Sequence, residues 1–394
     1  MDSKFKKIAI LGAHGTGNTG DEAILLGMLL SIRKNINGAI IKVISRNPNS
    51  IRYFCDVQVA SSGKMNYLFD IVKTILSSDI LIIGGGGILQ DQTSFSNLIY
   101  YLTFILLAKL FNKKVMFYAV GVGPLLKGIS KTLLKYFAKK VDFITVRDNY
   151  SKFLLSELGI QISDNHVVSD PAVRLIESSY IPKDTVLKKE KIDHAYNLIG
   201  INLRPWFFNL GGLLPINKRI YRENWMSHYK SHLNDLADCV DEFIEKNEVR
   251  FVFIPFELKQ DLLVFKEFIK FIKNKEYIYL LNKKYNPLEI LGFYSHLDML
   301  IGMRLHAMIF SILSEVPFVG ITYSQKTLEL LKRIDYEQYS LAIESFNGNE
   351  FKAIMQMVWV QRIDLKRKLC EKGKLLISKE KSAEYLSSLL QEIK

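Results

Sequence analysis

The feature that most restricts this chain is an alternation that persists along most of its length. A short apolar run rich in β-branched residues is followed by a longer amphipathic stretch, and the pair then repeats. Short runs that are apolar throughout suit strands buried on both faces. Longer stretches between them suit helices that cross back over a parallel sheet. In the first half the predicted strands are Ile8–Gly12, Ile40–Ser45, Ile80–Ile83, Val115–Val120, Phe143–Val146 and Val167–Ser169. The predicted helices are Asp21–Lys34, Tyr67–Leu76, Leu98–Phe111, Ile129–Lys140 and Ser151–Leu158. After Pro171 the pattern dissolves into a polar, charged, proline-bearing stretch at 177–196, which reads as a linker. It restarts with strands expected at Leu198–Leu203, Arg250–Pro255, Tyr277–Leu281, Met299–Ile301 and Phe318–Thr322. Helices are expected at Ser227–Glu245, Asp261–Ile272, Pro287–Tyr294, Leu305–Ser314 and Thr327–Ile334, with a helical region at Glu350–Lys394. The expected fold is α/β, with two doubly wound domains facing a cleft. The domains are 1–176 and 197–349, joined by the linker 177–196 and followed by a C-terminal helical region, 350–394. Such domains place ligands in the cleft, at the carboxyl ends of their strands.

The length of 394 residues fits two domains. The three cysteines lie far apart, which excludes a zinc ribbon or disulfide scaffold and suits a reducing compartment. The stretch MDSKFKKIAILGAHG reads as a buried first strand, not a signal peptide. The longest apolar run, Leu98–Ala108, falls short of the roughly 20 residues that span a bilayer and reads as a buried helix. The net charge is +13, and residues 127–140 hold five lysines and no acid. Lys127, Lys131, Lys135 and Lys139 are four apart, one stripe of a helix that could meet an anionic membrane surface. A second basic stretch, Arg362–Lys381, holds eight basic and three acidic residues. Neither stretch has the interleaved aromatics or the recognition motif of a nucleic-acid binder, so no nucleic-acid partner is expected.

The first strand runs into Gly15-Thr16-Gly17-Asn18-Thr19-Gly20, a G-x-G-x-x-G spacing that by itself suggests a dinucleotide site. Asp21 and Glu22 argue against that, because they open the helix and would repel a pyrophosphate. The second predicted strand also ends in Ser45-Arg46-Asn47, with no acid for a ribose. The glycines, Gly17 among them, instead allow the backbone to approach a neutral ligand such as a sugar. His14, Asn18, Asp21 and Glu22 would supply partners for its hydroxyls. Four glycines, Gly84–Gly87, follow another strand where a turn needs one or two. This points to ligand or backbone against bare Cα atoms, at Gly85 and Gly86. Gly121, Gly123 and Pro124 follow a third strand. In the second half Asn202-Leu203-Arg204-Pro205, Gly302-Met303-Arg304-Leu305-His306-Ala307 and Tyr323-Ser324-Gln325-Lys326 each follow a strand. Arg204, Arg304, His306 and Lys326 would therefore converge on one cleft wall. That set suits a small polyanion carrying phosphate and carboxylate, which Arg304 could grip with two parallel hydrogen bonds.

These blocks, together with Arg147-Asp148, resemble those of the polysaccharide pyruvyl transferase family, in family order from residue 8 to about 330. The resemblance implies two Rossmann-like halves, as in two-domain glycosyltransferases of the GT-B type. It implies phosphoenolpyruvate as co-substrate, with no other cofactor and no obligatory metal. The acceptor would be a sugar of a bacterial cell-surface polysaccharide or of its polyprenyl-linked precursor. Two of its hydroxyls would end as a cyclic pyruvate ketal, with phosphate released in the cytoplasm, at or near the inner face of the plasma membrane. Carried over residue by residue, Arg204, Arg304, Leu305 and His306 would bind the donor, with Ser324 and Lys326 beside them. His306 would be one of the proton-transfer groups, and Asp21 or Glu22 the other. A nucleotide-sugar glycosyltransferase of the same architecture is the main alternative. A non-catalytic glycan binder is the other, and it would need neither Arg304 nor His306.

Overall fold

The computed structural model describes residues 6–45, 47–60, 67–193, 195–206 and 223–392. One sheet contains β1 (Lys7–Leu11), β2 (Ile40–Ile44), β3 (Gln58–Ala60), β4 (Ile80–Leu89), β5 (Lys114–Val122) and β6 (Phe143–Val146), in spatial order β3-β2-β1-β4-β5-β6. The other contains β7 (Asn197–Asn202), β8 (Val249–Phe253), β9 (Ile278–Leu280), β10 (Met299–Gly302), β11 (Phe318–Thr322) and β12 (Ser340–Ala342), in order β12-β11-β10-β7-β8-β9. Pairing is parallel throughout both sheets. Read outward from its first strand, each sheet has the doubly wound order 3-2-1-4-5-6. The order reverses between β1 and β4 in one sheet and between β7 and β10 in the other. Ligand crevices open at such points, and these four strands lead into the glycine-rich and Arg-x-His blocks.

The helices of the first half are α1 (Thr19–Asn35), α2 (Pro48–Arg52), α3 (Tyr67–Leu76), α4 (Phe95–Leu110), α5 (Gly128–Ala138), α6 (Asn149–Glu157) and α7 (Thr185–Glu190). Then come α8 (Glu223–Lys246), α9 (Leu258–Phe271), α10 (Pro287–Tyr294), α11 (Leu305–Leu313), α12 (Gln325–Arg333), α13 (Gly348–Val360), α14 (Arg362–Lys379) and α15 (Ser382–Gln391). The strands are buried on both faces, as their unbroken apolar runs require. Ile8, Ile10, Ile80 and Ile82 face α1, while Ala9, Leu11, Leu81 and Ile83 belong to a separate core with α3, α4 and α5.

Several elements depart from expectation. Val167–Ser169 makes a lone bridge to Val146 and then enters a 3-10 turn at Pro171–Glu177, because proline offers no amide to a ladder. The three-residue strands β3 and β12 are too short to show a sequence pattern. The 177–196 stretch contains the helix α7. The C-terminal helices do not stand apart: Tyr385 stacks on Phe143 at 5.2 Å, and Ser382 Oγ lies 3.2 Å from Thr145 Oγ1. Glu380, fully buried, accepts from Ser31 and Arg174, each at 3.2 Å. The last helices therefore close over the first sheet.

Candidate active site

The turn after β1 places its side chains by capping and close approach. Asn18 is the N-cap of α1, and its Oδ1 accepts from the amides of Gly20 (2.9 Å) and Asp21 (3.4 Å). Glu22 is buried and accepts from Ser50 Oγ at 3.0 Å, with Lys284 Nζ at 3.7 Å. Burial raises its carboxyl above the usual range. His14 is 3% exposed, and burial lowers its imidazole to about 4. Its Nδ1 lies 3.2 Å from the Asp21 carbonyl oxygen. Asn18 caps a helix, Glu22 turns to Ser50 and Lys284, and His14 supports the turn from beneath. Gly17 remains open, with no atom where a Cβ would point.

Asp21 differs from these neighbours. It is half-buried, and burial raises its carboxyl to about 6, with Glu257 adding to the rise and His306, Arg147 and Arg304 opposing it. The glycine beside it brings the two halves of the molecule together. A Cβ at Gly20 would overlap the imidazole of His306, so this position admits only glycine while His306 stays in place. The turn is also pinned to the second half by its backbone. Thr19 N donates to Phe256 O at 2.8 Å, and Asn18 pairs with Glu257.

β4 does not stop at Ile83 but runs through the glycines to Leu89, with a register shift against β5 after Gly86. Gly85 has φ of 72° and backs onto Ile24 of α1, so it faces the interior instead of an acceptor. A Cβ at Gly86 would lie 3.6 Å from Asp21 Oδ1, on the cleft side. Gly87 receives the side chain of Lys326, whose ammonium a Cβ there would overlap. Lys326 thus crosses from α12 into the first sheet. Burial lowers its ammonium to about 8, and Arg147 lowers it further.

In the second half, Asn202 at the end of β7 holds the backbone of the next motif: its Oδ1 accepts from Arg304 N at 3.1 Å. Arg304 itself is buried. Its Nε donates to Asp261 Oδ2 at 2.9 Å, its Nη2 donates to Asp261 Oδ1, and Nη2 also reaches Glu257 at 3.4 Å. The fork expected to hold the donor is therefore already closed on Asp261. Asp261 in turn accepts from the amides of Phe256 and Glu257, each at 2.9 Å, and so shapes the segment that meets the Asn18–Gly20 turn. Arg204 rests on Tyr323, with the guanidinium carbon 4.6 Å from the ring centre and Nη1 donating to the hydroxyl at 2.8 Å. Leu305 and His306 open α11, and Ser324 stands at the N-cap of α12 with its hydroxyl outside the cap.

Behind His306 lies a cluster absent from the site expected on sequence. Asp170 Oδ2 is 3.5 Å from His306 Nε2 and accepts from Arg147 Nη1 at 2.8 Å. Burial alone would raise the Asp170 carboxyl, but His306 and Arg147 outweigh it and hold it well below the usual range. Arg147 also lies beside the bare Cα of Gly121, where a Cβ would come within 2.9 Å of its Nε. Asp21 and His306 are thus brought near each other at Gly20, close enough to interact electrostatically. Arg147 and Lys326 lie close by, with Arg204 near Lys326, and the N-termini of α11 and α12 follow neighbouring parallel strands on the same edge.

Residues 18–325 match the family described as polysaccharide pyruvyl transferase. The chain belongs to the polysaccharide pyruvyl transferase family. It is 23% identical over 377 residues to the amylovoran biosynthesis protein AmsJ of Erwinia amylovora, across 86% of this chain and 88% of that protein. Its fold is similar to that of UDP-GlcNAc 2-epimerase from Neisseria meningitidis, with TM-score 0.63 and 11% identity over 98% of this chain and 100% of that one. It is also similar to sucrose-phosphate synthase from Thermosynechococcus elongatus, with TM-score 0.58 and 10% identity over 98% of each chain. At such identities the likeness is one of fold, the two-domain GT-B arrangement. The family match runs from Asn18 at the start of α1 through the glycine strand, Arg147, and the β7 and β10 motifs to the first residue of α12. Sequence reasoning expected Arg204, Arg304, His306 and Lys326 on one cleft wall but missed Asp170 as the partner of His306, and Asp261 and Glu257 as the partners of Arg304. Asp261 had a signal. It shares the buried face of α9 with Val264 and Phe268, an acid in an apolar stripe.

Proposed function

We propose that this family member transfers the pyruvyl group of phosphoenolpyruvate to two hydroxyls of one sugar in a cell-surface polysaccharide or its lipid-linked precursor. The observation that carries the reading is the approach of Asp21 and His306 at Gly20, with Arg147 and Lys326 close by. The donor brings a carboxylate and a phosphate. Arg204, Lys326 and Arg147 offset these charges, and the amides opening α11 and α12 accept what remains. His306, set by Asp170, passes a proton to carbon 3. Asp21, ionised at neutral pH, takes the proton of the sugar hydroxyl that attacks carbon 2. A tetrahedral phosphate adduct forms. Phosphate then leaves with the bonding electrons of the C–O bond, the second hydroxyl adds to carbon 2, and its proton ends on phosphate, while the proton taken by Asp21 returns to His306.

The test is mass spectrometry of glycans incubated with phosphoenolpyruvate, beside a phosphate-release assay. Wild-type protein is expected to add one ketal per acceptor. His306→Gln is expected to keep most donor affinity and lose roughly 10²–10⁴ in turnover. Normal turnover in that variant removes His306 from the mechanism. Thermal shifts with uridine diphosphate but none with phosphoenolpyruvate would favour nucleotide-sugar transfer.

The same reading places the protein at the inner face of a membrane. Lys131, Lys135 and Lys139 are exposed, and Lys127 lies over the Phe95 ring at 5.5 Å. Leu126, Ile129 and Tyr136 beside them are 55–58% exposed, an apolar and basic face of the kind that rests on anionic lipid. No helix among the described residues is long and apolar enough to cross a membrane.

A further inference from the structure

A cavity of about 200 Å³ opens beside the β1–α1 turn, on the face of the first sheet away from α1. Its wall is the 12–16 loop, Ser45 at the end of β2, and Asn97, Tyr100 and Tyr101 of α4. Among the described residues, this wall carries no Lys, Arg, Asp or Glu. His14, its one titratable imidazole, is neutral at physiological pH because burial lowers it to about 4. Among the described residues such a wall offers a phosphate or carboxylate no charged partner and suits an uncharged ligand. It combines aromatic faces with amide, hydroxyl and backbone groups, the mixture that orients a polyhydroxylated ring. Its volume is below the roughly 300–1,000 Å³ of pockets for drug-sized ligands, which fits a single ring and not a nucleoside diphosphate.

The platform is rigid. Tyr100 meets Tyr101 edge-on at 5.3 Å and Phe104 at 5.0 Å, which fixes its ring. Ser45 Oγ donates to His14 O at 3.1 Å and accepts from Asn47 N at 3.0 Å, so the loop is held as well. The cavity adjoins the turn that leads to Asp21. His14 lines the cavity, and its Nδ1 lies 3.2 Å from the carbonyl oxygen of Asp21.

We propose that this cavity is an acceptor subsite that holds one neutral pyranose ring of the glycan, adjoining the ring that receives the pyruvyl group. The proposal rests on the pyruvyl-transfer reading above. It assigns acceptor recognition to Tyr100 and Asn97, with His14 in the same wall.

The experiment uses the full chain and a panel of neutral mono- and oligosaccharides ending in galactose, glucose or mannose. For whichever glycan accepts pyruvate, Tyr100→Ala is expected to raise the acceptor KM roughly tenfold, the worth of one aromatic platform. The KM for phosphoenolpyruvate should move less than about twofold, since that is what separates a subsite from general damage. Tyr100→Phe, which keeps the ring, should restore the wild-type acceptor KM, and Asn97→Ala should raise it. Equal acceptor KM values in wild type, Tyr100→Ala and Asn97→Ala overturn the subsite while leaving the transfer reading intact. If wild type makes no ketal from any glycan, the transfer reading fails by itself, and glycan-array binding without phosphoenolpyruvate then decides the subsite. Binding that is lost in Tyr100→Ala and kept in Tyr100→Phe supports it. No wild-type binding, or binding unaffected by Tyr100→Ala, overturns it.

Discussion

Asp21 and Lys326 are two cleft residues whose environments work against their charges, and each leads to a measurable sign. Asp21 is held near 6, above the ordinary carboxyl value, chiefly by burial. Its ionised form therefore costs the folded state stability. The cost is absent below the unfolded value, about 4, and complete once pH has passed 6. Asp21→Asn is expected to raise the melting temperature at pH 7.5 but much less at pH 4.5, by about 1–3 kcal/mol at most. The same substitution should remove the acidic limb near pH 6 from the kcat/KM profile and slow transfer, while donor binding holds. Equal melting gains at both pH values would contradict the buried-charge account. Lys326 is lowered to about 8, so its charge is lost as pH rises through that value. Phosphoenolpyruvate affinity should fall above pH 8 in the wild type. In Lys326→Met it should already be weaker by roughly 10- to 150-fold, the loss of one charge-assisted contact of about 1.5–3 kcal/mol. Calorimetry across pH 7–9 checks both, and a flat wild-type profile would count against Lys326 as a donor ligand.

At the scale of elements, a helix start does the assembling. α1 is buried almost all round because it lies between the first sheet and the segments that close over it. Its first turn therefore touches both halves, and Gly20 is where His306 of α11 arrives. Gly20→Ala changes no charge and removes no hydrogen bond, yet its methyl group needs the space of the imidazole. Turnover is expected to fall by roughly 10²–10⁴, like the loss of His306 itself. Phosphoenolpyruvate affinity should stay within a few-fold. Phosphate-release kinetics beside calorimetry separate the two, and undiminished turnover would show that His306 does not act from this position.

Across the whole molecule, a chain of contacts joins the two halves. Arg304 closes on Asp261, Asp261 shapes Phe256 and Glu257, and these pair with Thr19 and Asn18. Arg304→Lys keeps the charge but cannot reproduce the fork, and Asp261 is fully buried. The expected result is a loss of about 2–4 kcal/mol in stability, seen as a lower melting temperature, with any loss of donor affinity smaller. A variant that melts like wild type but binds phosphoenolpyruvate poorly would instead return Arg304 to the donor site. The apolar and basic face on α5 gives a second prediction at this scale. Co-sedimentation should occur with anionic vesicles, weaken with salt by about 1 kcal/mol per lysine lost from the surface, and be absent with neutral vesicles. Equal binding to both lipids would end the membrane assignment.

The two doubly wound halves were legible in the sequence because buried parallel strands must be apolar throughout, and the turns after them must carry the polar groups. Ile80–Ile83 and Met299–Ile301 could be read on those grounds, and so could the glycine and Arg-x-His blocks that follow. What the sequence could not contain was partnership. Nothing local says that Arg304 spends its fork on Asp261, 43 residues away, or that Asp170 stands behind His306. Nothing local says that Asn18 faces its own helix while Asp21, three residues on, faces the cleft. Chain pattern reports which positions must avoid water, a property each residue carries along the backbone. The pairing of buried charges depends on tertiary structure: the order of β8, β7 and β10 in one sheet brings Asp261 to Arg304, and the closure of one half onto the other brings Asp170 to His306.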